Sequence, residues 1–325
     1  MALLLCLAGQ GHLAAQADMV PTPVTASPIS QFRLGSDETR FGKLEFLGGL
    51  VLGSSDALFG SVSSIRFLDD GTQFVSVLDT GHWLRGRVQR DPDGRLAGLT
   101  DVRITSMTDA LGRLEAQKYF MDSEGVAVRG AEILVSYERK HRVDVYPAGD
   151  FERARPVGTV PILIPEGLLR ANGGLETVVT APKASPLQGA AVIVAERSVD
   201  ESGNLLAAIL DGPRKGRFSV AARDAFAVSD GTFLPSGDLL LLERRFNLAT
   251  GVAMRIRRIR AGDLVPGAVV EGDVLIEATM ADQIDNMEGI DALPMPDGSL
   301  HLILVSDDNH SVFQRTLMLE FRLDE

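Results

Sequence analysis

The chain has 325 residues, a formal charge of −12, 45% hydrophobic residues, 33 glycines, 15 prolines, one cysteine and one tryptophan. That is enough chain for a sizeable core, and the acidic balance excludes a nucleic-acid backbone as the expected partner, because phosphates are repelled. The lone Cys6 excludes a disulfide framework, and no apolar run reaches the 18 residues of a membrane-spanning helix.

Residues 1–17 read as a secretory signal peptide. Ala2 to Ala8 is an apolar core, and Ala14-Ala15-Gln16-Ala17 offers small residues before a cut near Ala17, although the usual basic start is missing. A periplasmic or secreted protein is expected, and Cys6 would leave with the peptide. Leu3-Leu4-Leu5-Cys6 lacks the small residues of a lipoprotein box, so no lipid anchor is expected. Residues 18–40 begin rich in Pro, Thr, Ser and Val and read as an extended linker. Residues 41–325 read as one domain.

Within that domain one unit recurs: an opening acid or hydroxyl, a strand, a turn, an apolar strand and a closing acid. Lys43 to Leu52 is a strand without a hairpin partner of its own. The first copy opens at Ser63-Ser64-Ile65, turns at Asp70-Gly71 and runs from Phe74 to Leu78 before Asp79. The second opens at Asp122-Ser123-Glu124-Gly125 and closes at Tyr137-Glu138-Arg139, after an unassigned stretch from Asp109 to Phe120 that admits extra strands or, with Leu111, Leu114 and Lys118 at helical spacing, a short helix. The third opens at Gly174-Leu175-Glu176 and closes at Glu196-Arg197, the fourth opens at Ser229-Asp230-Gly231 and closes at Glu243-Arg244, and the fifth opens at Asn286-Met287-Glu288-Gly289 and closes at Ser306-Asp307-Asp308-Asn309. Aligned on residues 64, 124, 176, 230 and 288, the openers lie 60, 52, 54 and 58 residues apart. Outer strands follow at Leu84–Gln89, Arg142–Tyr146, Leu205–Leu210 and Ala253–Ile259, and fourth strands at Val102–Thr105, Pro156–Val160, Phe218–Ala221 and Val274–Ala278.

A repeat of this length holding several strands predicts an all-β propeller of five four-stranded blades. Six is the alternative, since Asp109 to Phe120 and Ile162 to Leu169 are unassigned. The last repeat has only three strands, ending with Thr316 to Leu323, so the amino-terminal strand is expected to complete it and remove an open sheet edge.

Strand one of each hairpin starts where strand two ends. The pairs Ser64/Asp79, Glu124/Glu138, Glu176/Glu196, Asp230/Glu243 and Glu288/Asp307 are therefore expected at one mouth of the central channel. So many carboxylates need either raised pKa values or cations. Hard oxygen ligands favour calcium or magnesium, with calcium preferred. Glu124, Glu176, Asp230, Asn286, Glu288 and Asp307 are the expected metal ligands. Glu138, Glu196 or Glu243 would orient water, and Arg139, Arg197 and Arg244 would hold a phosphate. His82, His141 and His310 each follow a closing acid by three residues, which makes His141 and His310 acid–base candidates, while His301 reads as structural. Acids at strand ends also cap turns and pair with arginines, and that bland reading competes for each residue taken singly. No Gly-x-Ser-x-Gly elbow, Walker loop or zinc-spaced Cys/His cluster occurs.

The segments Asp122-Ser123-Glu124-Gly125, Ser136-Tyr137-Glu138-Arg139, Asn172-Gly173-Gly174-Leu175-Glu176, Pro235-Ser236-Gly237-Asp238, Leu242-Glu243-Arg244-Arg245-Phe246, Asp285-Asn286-Met287-Glu288-Gly289 and Ser306-Asp307-Asp308-Asn309 resemble the phytase-like family, "esterase-like activity of phytase", of bacterial exported proteins. The resemblance spans about residues 40–323. It implies phosphodiesterase- or phytase-like hydrolysis at repeated Glu and Asp residues. The leading expectation is thus an exported, monomeric, metal-dependent hydrolase of a small phosphate ester. A calcium-dependent lactonase or carboxylic esterase is the second, and a non-catalytic ligand-binding propeller the third.

Overall fold

The computed structural model describes residues 21–68, 71–114 and 118–324. The expected signal peptide, with Cys6, lies outside the described residues. Five sheets surround a central axis. The first blade is Val62–Phe67, Gln73–Leu78, His82–Arg90 and Leu96–Ser106, and the second is Ser123–Arg129, Glu132–Tyr137, Arg142–Pro147 and Gly158–Val160. The third is Leu175–Thr180, Ala191–Val199, Leu205–Ile209 and Gly216–Val220, with Val269–Val270 added in parallel at its outer edge. The fourth is Ala227–Phe233, Leu239–Asn247, Gly251–Ile259 and Asp273–Thr279. The fifth joins Asn286–Pro294, Leu300–Asp307 and Thr316–Leu323 to Leu44–Ser54 from the other end of the chain.

The five-blade expectation therefore holds, and so does the closure. Thr316 pairs with Leu52 and Leu323 with Leu44, which ties the two ends of the ring together. The first strand of each blade packs on the first strand of the next, and the fifth returns to the first. Second strands are covered on both faces, which is why they are uninterrupted apolar runs: Leu239 to Leu242 and Ile133 to Val135 are wholly buried. Among the described residues no helix is long and apolar enough to cross a membrane.

Two segments differ from expectation. Within residues 18–40, read as a linker, Val24–Ile29 forms a further strand pairing antiparallel with Leu44–Ser54, from Val24 opposite Ser54 to Ile29 opposite Gly49. Phe32 behind it is wholly buried, with ring centroids 4.8, 5.4 and 5.1 Å from Phe41, Phe46 and Phe321. A Pro- and Ser-rich strand survives at an edge because one side of it needs no partner. Between Asp109 and Phe120 the helix among the described residues is Lys118–Met121. Asp109 accepts the Leu111 and Arg113 N–H groups, each at 2.9 Å, and this turn competes with helix and leaves Leu111 and Leu114 exposed. Ile162 to Leu169 holds only the 3-10 turn Glu166–Leu168, so neither stretch supplies a sixth blade.

Candidate functional site

A β-bulge opens every blade at the same end of the ring. In the fifth, Met287 faces Ser306 and Gly289 faces Val305, so Glu288 is the extra residue. In the third, Leu175 faces Ala195 and Thr177 faces Val194, leaving Glu176. The register breaks in the same way at Ser63 in the first blade, at Glu124 and Gly125 in the second and at Ser229 in the fourth. A bulge bends its strand and re-aims the unpaired side chain. Here four of the five bulge residues, Ser63, Glu124, Glu176 and Glu288, line one cavity of about 270 Å³ at the mouth.

On each second strand the closing residue is the one after the partner of the residue that precedes the bulge. It is Asp79, Glu138, Glu196, Arg244 and Asp307 in blade order, and all five line the same cavity. Asn172, Arg197 and Asn309 complete the wall. The mouth thus carries seven carboxylates with Arg197 and Arg244 among them.

Sequence alignment of the fourth blade is wrong by one residue on both strands. Matching by residue type sets Asp230 against Glu288, and Glu243 against the other closing acids. The bulge residue is instead Ser229, and the closing residue is Arg244. Asp230 lies inside the ring, wholly buried, bound to Arg66 through two 2.9 Å contacts and to Ser64 Oγ at 2.9 Å. Glu243 is buried on the opposite face of its strand, where it accepts from Arg255 Nε at 2.7 Å and from Arg257 Nη2 at 2.6 Å. Neither residue lines the mouth. Likewise Ser63 takes the place expected of Ser64.

The remaining expected residues divide clearly. Arg197 lies 3.3 Å from Glu196 and lines the cavity, whereas Arg139 turns to Asp122. His141 contacts the Arg170 carbonyl oxygen at 2.9 Å and covers Gly174, where an added Cβ would sit 2.1 Å from the ring. Burial pulls its imidazole below its ordinary pKa. His310 occupies a turn at φ +50°. Neither histidine lines the cavity. Asn286 donates to Glu288 Oε1 at 2.7 Å and lies in an adjoining lobe of about 260 Å³.

Ionisation at the mouth is strained. Burial first, and neighbouring carboxylates second, push Glu124 and Glu176 well above the usual carboxyl range. Burial raises Glu288 to about 8, although Arg244 Nε donates to it at 3.0 Å, and raises Asp307 to about 6. Glu138 is also raised by burial, but its Oε1 accepts the Gly173 and Gly174 N–H groups, which pull the other way. This gives the Asn172-Gly173-Gly174 segment its purpose.

Two acidic groups have oxygens within 4.8 Å of one another: Asp122, Glu124 and Glu138, and Glu138, Glu176 and Glu196. Asp122 was not among the expected ligands, because it precedes the opener rather than occupying it. Among the described residues neither Glu124 nor Glu176 has a hydrogen-bond donor or cation on its carboxylate, and Glu176 is only 8% exposed. Bare carboxylates beside others, Glu176 buried and Glu124 partly so, are what a divalent cation would satisfy, so this donor set fits a calcium- or magnesium-type ion.

A larger cavity of about 710 Å³ lies at the other end of the axis, but size does not make it the site. Its charged lining residues are Arg66, Arg90 and Asp291. Arg66 is engaged with Asp230, Arg90 with Glu320 at 2.7 and 2.8 Å, and Asp291 with the Phe67 N–H at 2.7 Å. None of these three charges is left uncompensated.

Solved structures similar to this chain are distant from it in sequence. That of U3-55K aligns at a TM-score of 0.41 and 8% identity, over 81% of this chain and 96% of the other. The RRP9 WD40 repeats align at 0.42 and 9%, over 88% and 100%. The Cps50 (Swd1) β-propeller domain of Myceliophteria thermophila aligns at 0.35 and 12%, over 81% and 71%. At such values they say nothing of what this chain does. No curated protein matches it in sequence. A family model described as "Phytase-like: esterase-like activity of phytase" matches residues 57–310, from the loop before the first blade to the mouth loop of the last, and that description points to a hydrolase. The chain belongs to this phytase-like family.

Proposed function

We propose that the chain is an exported hydrolase of phosphate esters that depends on a divalent cation, calcium by preference, with the acidic mouth as its active site. The observation that carries this reading is the pair of bare carboxylates, Glu124 and Glu176, in a ring where Arg244 replaces one acid. Glu124, Glu138, Glu176 and Glu196 would hold the ion, and Asp122 would join them on the second-blade side. A bound ion would supply charge neutralisation and a polarised phosphoryl oxygen. Arg197 and the Nη1 of Arg244, whose Nε and Nη2 are held by Glu288 and Glu196, offer cationic donors suited to the phosphoryl oxygens. Glu288 and Asp307, with pKa values near 8 and 6, sit where one carboxyl can accept a proton from water and another can give one to the leaving oxygen at neutral pH. Export rests on the apolar run from Ala2 to Ala8.

The test combines binding with turnover. Titration calorimetry with calcium should show binding that Glu176→Gln abolishes. Hydrolysis of bis(p-nitrophenyl) phosphate should need calcium, stop with chelator and fall at least about 100-fold in Glu176→Gln. Turnover indifferent to chelator would overturn the metal role. The neutral amides Asn172 and Asn309 at the mouth also suit a calcium-dependent lactonase, so a lactone series belongs in the same assay.

A further inference from the structure

The acidic cavity has a neighbour of almost the same size, about 260 Å³ against about 270 Å³, and Arg244, Glu288 and Asn309 line both. The neighbour has a different chemistry. Its further walls include Phe246, Val252 and Gln314. Phe246 and Val252 stand directly opposite each other on adjacent strands, forming an apolar step beside a charged partition. Phe246 is 69% exposed, so its ring is available to a ligand. The partition is held from both sides: Arg244 Nε donates to Glu288 Oε2, Asn286 donates to Glu288 Oε1, and Arg244 Nη2 reaches Glu196 at 3.3 Å. Among the described residues Arg244 Nη1 has no acceptor.

We propose that this lobe binds the alcohol part of the ester and selects a flat, uncharged, partly apolar group carrying a single phosphoryl, rather than a polyphosphorylated ring. This inference rests on the hydrolase reading of the acidic mouth. A polyphosphate needs a cation for each group. The lobe has two arginines, and Arg245 gives its Nη1 to the Asp224 carbonyl at 3.1 Å and stacks 4.6 Å over Phe226, with its Nε buried away from a ligand. Every further phosphate would face the carboxylates of the adjoining cavity. A diester with one negative charge places that charge at Arg244 Nη1 and its aryl or alkyl group against Phe246 and Val252. Water adds to phosphorus as the P–O bond to the alcohol breaks. One water proton passes to a mouth carboxylate, and a protonated carboxyl gives one to the departing oxygen. A phosphomonoester and a free alcohol result.

The experiment compares kcat/KM for bis(p-nitrophenyl) phosphate, dimethyl phosphate and inositol hexakisphosphate in calcium, in the unaltered protein, Phe246→Ala and Leu248→Ala. It also follows binding of phenylphosphonate, which is not cleaved, by calorimetry. Leu248 is 95% exposed and outside the lobe. The expected result is an aryl-over-methyl preference of about 100-fold that drops about tenfold in Phe246→Ala and is kept in Leu248→Ala, with no cleavage of the hexakisphosphate. Phenylphosphonate binding should weaken about tenfold in Phe246→Ala. If no ester is cleaved but phenylphosphonate binding still depends on Phe246, the hydrolase reading fails and the lobe stands as a ligand site. Cleavage of the hexakisphosphate in preference to the diester, or phenylphosphonate binding unaffected by Phe246→Ala, overturns the lobe.

Discussion

Glu288→Gln should make the cation-free protein more stable, by an amount that grows as pH rises from about 4.5 to about 8. A carboxyl that titrates at about 8 in the fold and at 4.5 when unfolded keeps a proton in the folded state that the unfolded chain has released. Stability therefore falls as pH rises through that window. Fully ionised and alone, such a group would cost about 5 kcal/mol, at 1.36 kcal/mol for each pH unit between the two values. Asp307 and Glu196 share the repulsion, so removing one charge recovers a fraction of it, about 2 kcal/mol. The amide can still accept from Arg244 Nε. Urea melts with chelator between pH 5 and 9 measure this, using the emission of Trp83, which is wholly buried 5.1 Å from Tyr146 and 4.9 Å from Phe151. The variant should differ little from the parent at pH 5 and exceed it at pH 9. An equal gain at both ends, or a loss at pH 9, would show that Glu288 is not an ionised burden and that the mouth is not electrostatically strained.

Other substitutions test the scaffold under the mouth. Arg66→Met should cost about 3–5 kcal/mol, because it leaves Asp230 buried and unpaired, and a denaturant melt reads it directly. Phe32→Ala should cost about 3–5 kcal/mol by hollowing the aromatic cluster behind the ring closure, measured in the same way. Gly125→Ala places a Cβ 2.5 Å from the Glu176 carbonyl oxygen and 2.8 Å from the Val178 nitrogen, so the second and third blades must separate. About 1–3 kcal/mol of stability should be lost, together with calcium binding followed by calorimetry, since Glu124 precedes this glycine.

Strand count, hairpin pairing and ring closure are all legible in the sequence, because each depends on runs of apolar residues and turn signals that need no distant partner to be recognised. Val24–Ile29 was not, because its composition is that of a linker and only its pairing with Leu44–Ser54 makes it a strand. Seven of the nine acids expected at the mouth are there. The two exceptions share one cause. Asp230-Gly231 imitates Glu288-Gly289, and Glu243-Arg244 imitates Glu138-Arg139, so matching by residue type slips both strands of the fourth blade by one. A bulge adds a residue without leaving a mark in composition, and one residue in a strand exchanges the two faces. The serine before Asp230 and the arginine after Glu243 were adjacent to the expected positions. Asp122 and the Gly173-Gly174 amides could be found only by seeing which carboxylates approach one another across blades.

Arg66 has a consequence for traffic through the molecule. Its guanidinium donates to carbonyl oxygens of Val178, Gly231 and Ile290, from three different blades, besides holding Asp230. The axis is therefore stoppered, and what enters the acidic vestibule must back out by the way it came. Both fragments of a cleaved ester would queue at a single exit, and whichever lingers would compete with the next molecule for entry.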